Sequence, residues 1–335
     1  MSINIGINGF GRIGRTYVRA ALSSHADVNV VAVNDITDVA TLADLLEWDS
    51  INGHLDGVSV DGDSIRVGSS RIRVFSQRDP SLIPWAQVGA DVVVESTGRF
   101  TDAQDARAHL QGGAKKVLIS APAKGDAQAI ILGVNDNTLD VSRYDVFSNG
   151  SCTTNSLAPL AKVLNDAFGI ESGLMTTVHA YTSDQRIHDA PHHDLRRARA
   201  AALSTIPTTS GAARTIGKII PELDGKLTGL ALRVPVPVGS ITDLTVVTRQ
   251  HTDVESVNAA FREAANGELA RYLAYNEAPI VSRDITGNPH STIFDAPLTQ
   301  ARGSQVKVFG WYDNEWAFSN RLVEFSEKIG NTIKQ

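Results

Sequence analysis

The sequence predicts a two-part α/β protein: a doubly wound, mostly parallel unit followed by an α+β unit with a mainly antiparallel sheet. Three observations carry that reading. The first 150 residues place short, near-continuous apolar strands among helical patterns, as a parallel sheet covered on both faces requires. From residue 152 the pattern changes to one long helix followed by longer strands with turn signals between them. At 335 residues the chain also exceeds what one core comfortably holds.

Ile3-Asn4-Ile5-Gly6-Ile7 reads as a buried strand and runs into Gly9-Phe10-Gly11-Arg12-Ile13-Gly14, the spacing G-x-G-x-x-G. The helix that follows carries Ile13, Tyr17, Val18 and Leu22 at helical spacing. In a Rossmann-type turn Gly9 makes the bend, Gly11 lets backbone approach a pyrophosphate, and Gly14 allows close helix–strand packing. The helix start adds unpaired N–H groups and a positive dipole end. The same glycines also suit a tight turn with no ligand. A second strand, 28–33, ends at Asn34-Asp35, about 20 residues past Gly14, where a ribose-binding carboxylate belongs. Asp35 serves equally as an N-cap for the next helix. No Lys or Arg occurs between Arg19 and Arg66, which favours NAD over NADP, whose extra phosphate needs a cation.

Strands at 57–60, 64–67 and 71–75 read as a glycine-punctuated antiparallel insertion. Apolar runs at 91–94, 117–119, 130–134 and 146–147 then suggest buried parallel strands, with a helix near 102–110. Thr97 and Ser120 lie just past strand ends, at the ligand-binding edge of open α/β sheets, or simply as turn residues.

Cys152 is the only cysteine, and it sits among Ser151, Thr153, Thr154 and Asn155 rather than among apolar neighbours. Leu157, Leu160, Ala161, Leu164 and Phe168 repeat at helical spacing up to Gly169, so the thiol falls in the first helical turn. There the helix start favours thiolate and lowers the thiol pKa. The strand 174–178 ends at His179, and the two side chains read as nucleophile and base, with an imidazolium favouring the thiolate. Arg197, Arg199, Arg214 and Arg233 read as phosphate forks or as solvated surface charge. Strands at 227–234, 241–248, 279–282 and 305–311, with helices at 211–220 and 253–266, complete this unit. The last pattern, Trp316 through Ile329, is an amphipathic helix.

The net charge of −6 gives no global attraction to nucleic acid or anionic membrane. The segment 192–202 is one basic cluster without interleaved aromatics, which suits a small phosphate better than nucleic acid. One cysteine excludes an internal disulfide and a cysteine-based metal cage. His188, His192 and His193 are interrupted by Pro191 and lack a completing carboxylate set, so no metal is expected. With no leader pattern or membrane-length apolar run, a cytoplasmic protein is expected.

The stretches NGFGRIGR (8–15), ESTG (95–98), SCTTN (151–155), HAYTSDQR (179–186), DLRRARAA (194–201), LRVPVP (232–237) and WYDNEW (311–316) resemble phosphorylating glyceraldehyde-3-phosphate dehydrogenases over essentially the whole chain. The resemblance implies an NAD-binding domain of 1–151 completed by a helix at 316–335, a catalytic domain of 152–315, and a homotetramer. It implies that Cys152 attacks the aldehyde of glyceraldehyde 3-phosphate with His179 as base, and that inorganic phosphate cleaves the resulting thioester. By the same resemblance Thr182 and Arg233 hold the substrate phosphate, while Ser151, Thr153, Arg197, Ser210 and Gly211 match the site of the attacking phosphate. Arg12, Ile13, Asp35, Arg78, Ser120 and Asn314 match NAD contacts, and Pro191 matches a proline associated with NAD preference. An enzyme acting on erythrose 4-phosphate, or a binding protein on a silent scaffold, are the alternatives. The family commonly has alanine at Gly150, a second cysteine at Ser156, leucine or glycine at Ala190, and glycine–tyrosine at Ala317-Phe318. The changes at Gly150 and Ser156 suggest an isoform tolerant of thiol-directed inhibitors.

Overall fold

A computed structural model describes residues 2–334. Within them the chain divides into two compact units: one runs to Ile130 and resumes at Thr138–Gly150 and from Ser319, and the other holds Ile131–Asn137 and Ser151–Phe318. Met1 and Gln335, the expected outer bounds of the first unit, lie outside the described residues. The seven residues 131–137 join the second unit rather than the first.

The first unit contains β1 (Ile3–Asn8), α1 (Arg12–Ser23), β2 (Val28–Asn34), α2 (Val39–Glu47), the short pair β3 (Trp48–Asp49) and β4 (Gly53–His54), β5 (Val58–Asp61), β6 (Ser64–Val67) and β7 (Ser70–Phe75). It continues through β8 (Val92–Glu95), α3 (Ala103–Ala106), α4 (Ala108–Gln111), β9 (Lys116–Ile119), β10 (Gln128–Ala129) and β11 (Val146–Ser148). One sheet runs β10-β11-β9-β8-β1-β2-β7-β6-β5, parallel from β10 to β7 and antiparallel through β6 and β5. Its central strands are buried along their length, including Val92, Val93 and Val94, which explains their unbroken apolar runs. On α1, Tyr17 and Val18 are buried as expected, but Leu22 is exposed, because the buried face turns instead through Thr16, Arg19 and Ala20.

Two expectations change here. The helix near 102–110 is split at Arg107 into α3 and α4. No strand forms at 130–134: Gly133 adopts φ +82°, and the Asn135 side chain takes the Ile131 N–H at 2.8 Å, so an apolar run becomes a turn.

The second unit contains α5 (Cys152–Phe168), β12 (Ile170–Ala180), β13 (Ile206–Thr209), α6 (Ala212–Ile219), β14 (Leu227–Val234), β15 (Ser240–Thr248), α7 (Val254–Asn266), β16 (Leu273–Asn276), β17 (Thr292–Asp295), β18 (Gln300–Arg302) and β19 (Gln305–Tyr312). Its sheet runs β13-β14-β12-β15-β19-β17-β16, with β18 on β19, and only β12–β14 and β16–β17 pair in parallel. Side chains alternate: Met175, Thr177 and His179 of β12 are buried, while Leu174 is exposed. The strand expected at 279–282 is absent. Pro279 has no N–H to donate, and Asp284 captures that of Val281 at 2.8 Å, whereas β16 forms earlier in the chain. The last helix, α8 (Trp316–Lys334), buries Leu322, Val323, Phe325 and Ile329, and Phe325 packs edge-on to Phe147 within the first unit.

Phe261 of α7 and Phe294 of β17 stack at 3.9 Å, both fully buried. Phe294→Ala is expected to cost about 3–5 kcal/mol, read as a lower denaturation midpoint with an unchanged far-ultraviolet spectrum.

Candidate active site

The second unit brings the lone thiol to a base. Ser151 caps α5, accepting the Thr154 N–H at 3.1 Å, and this places Cys152 as the first helical residue. His179, one residue before the end of β12, puts Nε2 3.3 Å from the Cys152 Sγ. Its register partner across the parallel pair is Arg233 of β14, whose Nη1 lies 2.6 Å from His179 Nδ1 and 3.1 Å from the Ala180 carbonyl oxygen. That carbonyl is also 2.7 Å from Nδ1. One row of the sheet thus supplies a base and a cation, and a helix start supplies the nucleophile.

Tyr312 completes the site, a role that its place in WYDNEW does not by itself reveal. Its ring meets His179 edge-on at 5.9 Å, and its hydroxyl bridges Thr153 at 2.9 Å and Thr177 at 2.7 Å. The phenol therefore ties the first turn of α5 to β12. Burial pushes its pKa up, so it stays protonated. The alternation of β19 was the available signal, since it turns Tyr312 toward the helix-covered face.

The protonation expected of the pair needs correction. Burial pushes the Cys152 thiol up, and this outweighs the lowering by Arg233 and by the backbone N–H groups at the helix start. Burial, with the Arg233 cation beside it, pushes His179 down to about 3. Taken singly, each group is thus pushed toward its neutral form, thiol and imidazole, and away from thiolate and imidazolium. Both forms hold the same number of protons, so bulk pH does not choose between them; the local field does.

The other expected contacts of this unit are more dispersed. Arg197 already donates to Asp184 at 2.6 Å and to the Thr208 hydroxyl at 2.9 Å, and Thr208 in turn donates to Asp194 at 2.7 Å. An anion there has to share Arg197 with carboxylates, and the sequence alone marks neither Asp184 nor Thr208 as its partner. Ser210 and Gly211 open α6, where the Ser210 hydroxyl accepts the Ala212 N–H at 3.3 Å. The Thr182 N–H donates to Gln185 at 3.3 Å. Pro191 sits on the exposed loop between β12 and β13, its carbonyl accepting from Arg186 at 3.1 Å. Asn314 is buried, and its side-chain oxygen accepts from Gly239 N–H at 3.2 Å and the Ser240 hydroxyl at 3.0 Å, which leaves its amide NH₂ as the end to offer a ligand.

In the first unit the glycines divide their work as a dinucleotide turn requires. Gly9 has φ +91°, and a Cβ there would lie 2.7 Å from the Thr97 nitrogen. A Cβ on Gly11 would meet nothing within 4 Å, so its approach is open; one on Gly14 would stand 2.4 Å from the Gly9 oxygen. The N-cap of α1 is Gly11, whose lack of a side chain leaves the approach to the helix start open. Asp38, not Asp35, caps α2, accepting the Thr41 N–H at 2.9 Å. Asp35 instead accepts the N–H groups of Phe10 at 2.8 Å and Thr37 at 3.0 Å, which fixes its carboxylate beside the glycine turn. Arg12, next to Ile13 in the first turn of α1, pairs with buried Asp49 at 2.5 Å. Arg78 follows Gln77, whose backbone bonds to Asn34, so the sheet brings to the end of β2 a cation that a search along the chain from Asp35 does not meet. Ser120 donates its hydroxyl and its N–H to the Glu95 carbonyl, each at 3.0 Å. These residues suit an NAD pyrophosphate and ribose.

Fold and site together define an oxidoreductase class: a dinucleotide-binding unit with a thiol–imidazole pair on a separate α+β unit. Family comparison carries this further. The model of the glyceraldehyde 3-phosphate dehydrogenase NAD binding domain matches residues 3–103, and that of the C-terminal domain matches 151–314. The chain is 57% identical over 334 residues to "Glyceraldehyde-3-phosphate dehydrogenase 1" of Streptomyces avermitilis, covering 99% of this chain and all of the relative. It is 55% identical over 340 residues to the glyceraldehyde-3-phosphate dehydrogenase of Mycobacterium avium, with the same coverage. It belongs to the glyceraldehyde-3-phosphate dehydrogenase family, the NAD-dependent oxidoreductases of that name.

The depressed His179 sets an acid limb. Between about 6.5, its value in an unfolded chain, and about 3, the unfolded chain binds a proton that the folded chain refuses. Stability therefore falls as pH falls through that window. Urea midpoints between pH 7 and pH 4.5 are expected to drop less in His179→Asn than in the unmodified protein; equal drops would mean that His179 is not held neutral.

Proposed function

We propose that the chain catalyses the phosphorylating oxidation of glyceraldehyde 3-phosphate to 1,3-bisphosphoglycerate, a step of glycolysis and gluconeogenesis. The observation that carries this is the Cys152–His179 contact of 3.3 Å with Arg233 on the far ring nitrogen. A nucleophile, a base and a fixed cation for an anionic substrate lie within one cluster. Arg233 and Thr182 hold the substrate phosphate. The Cys152 sulfur forms a bond to the aldehyde carbon while the thiol proton passes through His179 to the aldehyde oxygen, which becomes the thiohemiacetal hydroxyl and leaves the imidazole neutral again. As the thiohemiacetal hydroxyl loses its proton to the base, hydride leaves the same carbon and a thioester results. NAD supplies the hydride acceptor. Inorganic phosphate, bound by Ser151, Thr153, Arg197, Ser210 and Gly211, attacks the thioester carbon and expels the Cys152 sulfur, giving the acyl phosphate. Gly9, Gly11, Arg12, Ile13, Asp35, Arg78, Thr97, Ser120, Pro191 and Asn314 hold the NAD.

A reduced lone thiol is required throughout, which supports a cytoplasmic setting. Among the described residues no helix is long and apolar enough to cross a membrane. A homotetramer is supported by apolar side chains left at the surface. Ile187, Leu195 and Leu203 of the β12–β13 loop are 79–84% exposed, and Leu174 and Leu230 stand on the uncovered sheet face. The inhibitor-tolerance reading narrows to Gly150. Ser156 is fully buried with its hydroxyl between Thr242 at 3.0 Å and Thr292 at 3.2 Å, where no electrophile from solvent reaches. Gly150 has φ +63°, which strains any alanine placed there.

Steady-state NADH formation tests the reaction. Without phosphate the protein should release about one NADH per Cys152 and stall, Cys152→Ser should show no burst, and His179→Asn should slow turnover by roughly 10²–10⁴. Sustained turnover without phosphate would overturn phosphorolysis. Sedimentation of Leu195→Asp/Leu203→Asp should show smaller species than the unmodified tetramer. Asp35→Gly should weaken NAD binding and narrow its preference over NADP; equal kcat/KM for both cofactors in the unmodified protein would remove the role given to Asp35.

A further inference from the structure

In the first unit the winding of the sheet reverses between β1 and β8. The chain passes from β1 to β2 on one side and later places β8 and β9 on the other. Open α/β sheets take their ligands in the crevice outside the carboxyl ends of such a pair. The last residues of these two strands, Asn8 and Glu95, are register partners, 3% and 2% exposed. A carboxyl group so buried is costly unless every lone pair is met.

Glu95 meets four donors. Its Oε2 accepts from Asn8 Nδ2 at 2.6 Å and from His109 Nε2 at 3.0 Å. Its Oε1 accepts the Thr97 N–H at 2.8 Å and the Thr97 hydroxyl. The histidine tautomer follows from its other neighbour. The Trp85 indole N–H can only donate, and it lies 3.1 Å from His109 Nδ1, so Nδ1 accepts and Nε2 carries the hydrogen given to Glu95. The network continues from Asn8 Oδ1 to Asn34 Nδ2 at 2.8 Å, and from Asn34 to the Gln77 backbone at 2.9 and 2.8 Å. It runs under the carboxyl ends of β8, β1 and β2 in turn.

This network grips the ligand-facing loops rather than the apolar core. With the Thr97 N–H and O–H both given to Glu95, the hydroxyl has one orientation, and its oxygen accepts the Arg99 N–H at 3.1 Å. Thr97 also abuts the glycine turn: its nitrogen is where a Cβ on Gly9 would fall at 2.7 Å, and the Ser96 hydroxyl donates to the Gly9 carbonyl at 2.7 Å. β1, α1 and β2, with Asp35, form the half-fold for one nucleotide; β8 opens the half-fold for the other.

We propose that Glu95, locked by His109 and Asn8, is a positioning residue for the nicotinamide-bearing half of the dinucleotide, acting through Thr97. The proposal rests on the dinucleotide role of the first unit. Glu95→Gln is nearly isosteric but turns an acceptor into an amide that faces donors. Binding of NAD and of ADP-ribose, which lacks the nicotinamide, is measured by titration calorimetry in the full chain, alongside the melting temperature. NAD should weaken about tenfold or more, the scale of one buried polar group left unsatisfied, while ADP-ribose stays within about threefold. Equal weakening of both ligands, or of neither, overturns the proposal, since a merely structural residue would move both. Should Glu95→Gln fail to fold, the pair Thr97→Val and Thr97→Ser carries the same comparison. Val, lacking the hydroxyl, should lose NAD selectively; Ser, keeping both donors, should bind as the unmodified chain, and equal behaviour of the two overturns the proposal. Failure of the unmodified protein to bind NAD would instead overturn the dinucleotide reading itself.

Discussion

The parallel pairing of β12 with β14 is the constraint on which the reactive cluster depends. It sets His179 opposite Arg233, residue for residue, near the ends of both strands. Neither side chain could hold that position alone. A buried imidazole next to a guanidinium is held only because the strands carrying them are fixed on both sides, β12 by β15 and β14 by β13. The helix start that presents Cys152 is anchored to the same sheet by the Tyr312 hydroxyl, which reaches Thr153 on the helix and Thr177 on β12. The thiol–imidazole separation is thus a property of sheet register and one phenol, and not of the two residues that react.

The same economy governs charge. Burial alone would make both members of the pair poor reactants, since it disfavours thiolate and imidazolium alike. Arg233 shifts that balance in opposite senses, drawing the thiol toward its anion and the imidazole away from its cation. A substrate anion that engages Arg233 would weaken both pulls at once. Reactivity is therefore coupled to what sits on the cation.

Much of this was legible in the sequence, for identifiable reasons. The glycine turn could be read because each glycine answers a separate steric demand, and the Cys152 helix because its apolar spacing and Gly169 stop are local signals. Strand ends next to turns gave His179 and Asp35. What could not be read was the sheet order that turns distant residues into neighbours. Tyr312, Thr177 and the Asp184–Arg197–Thr208 cluster meet only through that order, and so do Glu95 and His109. The segments 130–134 and 279–282 failed for a related reason: their apolar residues are used in turns whose backbone donors are taken by Asn135 and Asp284. The direction in which burial pushes Cys152 could not be read, because a helix start is visible in a sequence and the depth of burial around it is not.

The discontinuity of the first unit has a consequence for how the chain is made. Its strands are complete by Ser148, but the helix that covers β1 ends at Lys334, and Gly330 there packs so tightly that a Cβ would fall 2.3 Å from an Ile3 methyl. The sheet face that carries Ile3 and Phe147 has its covering helix supplied only after the residues of the second unit. The second unit, nearly continuous in sequence from Ser151 to Phe318, can settle before the first one closes. β1 is therefore covered by the part of the chain farthest from it in sequence, and a chain that stops short of α8 leaves that face of the sheet open.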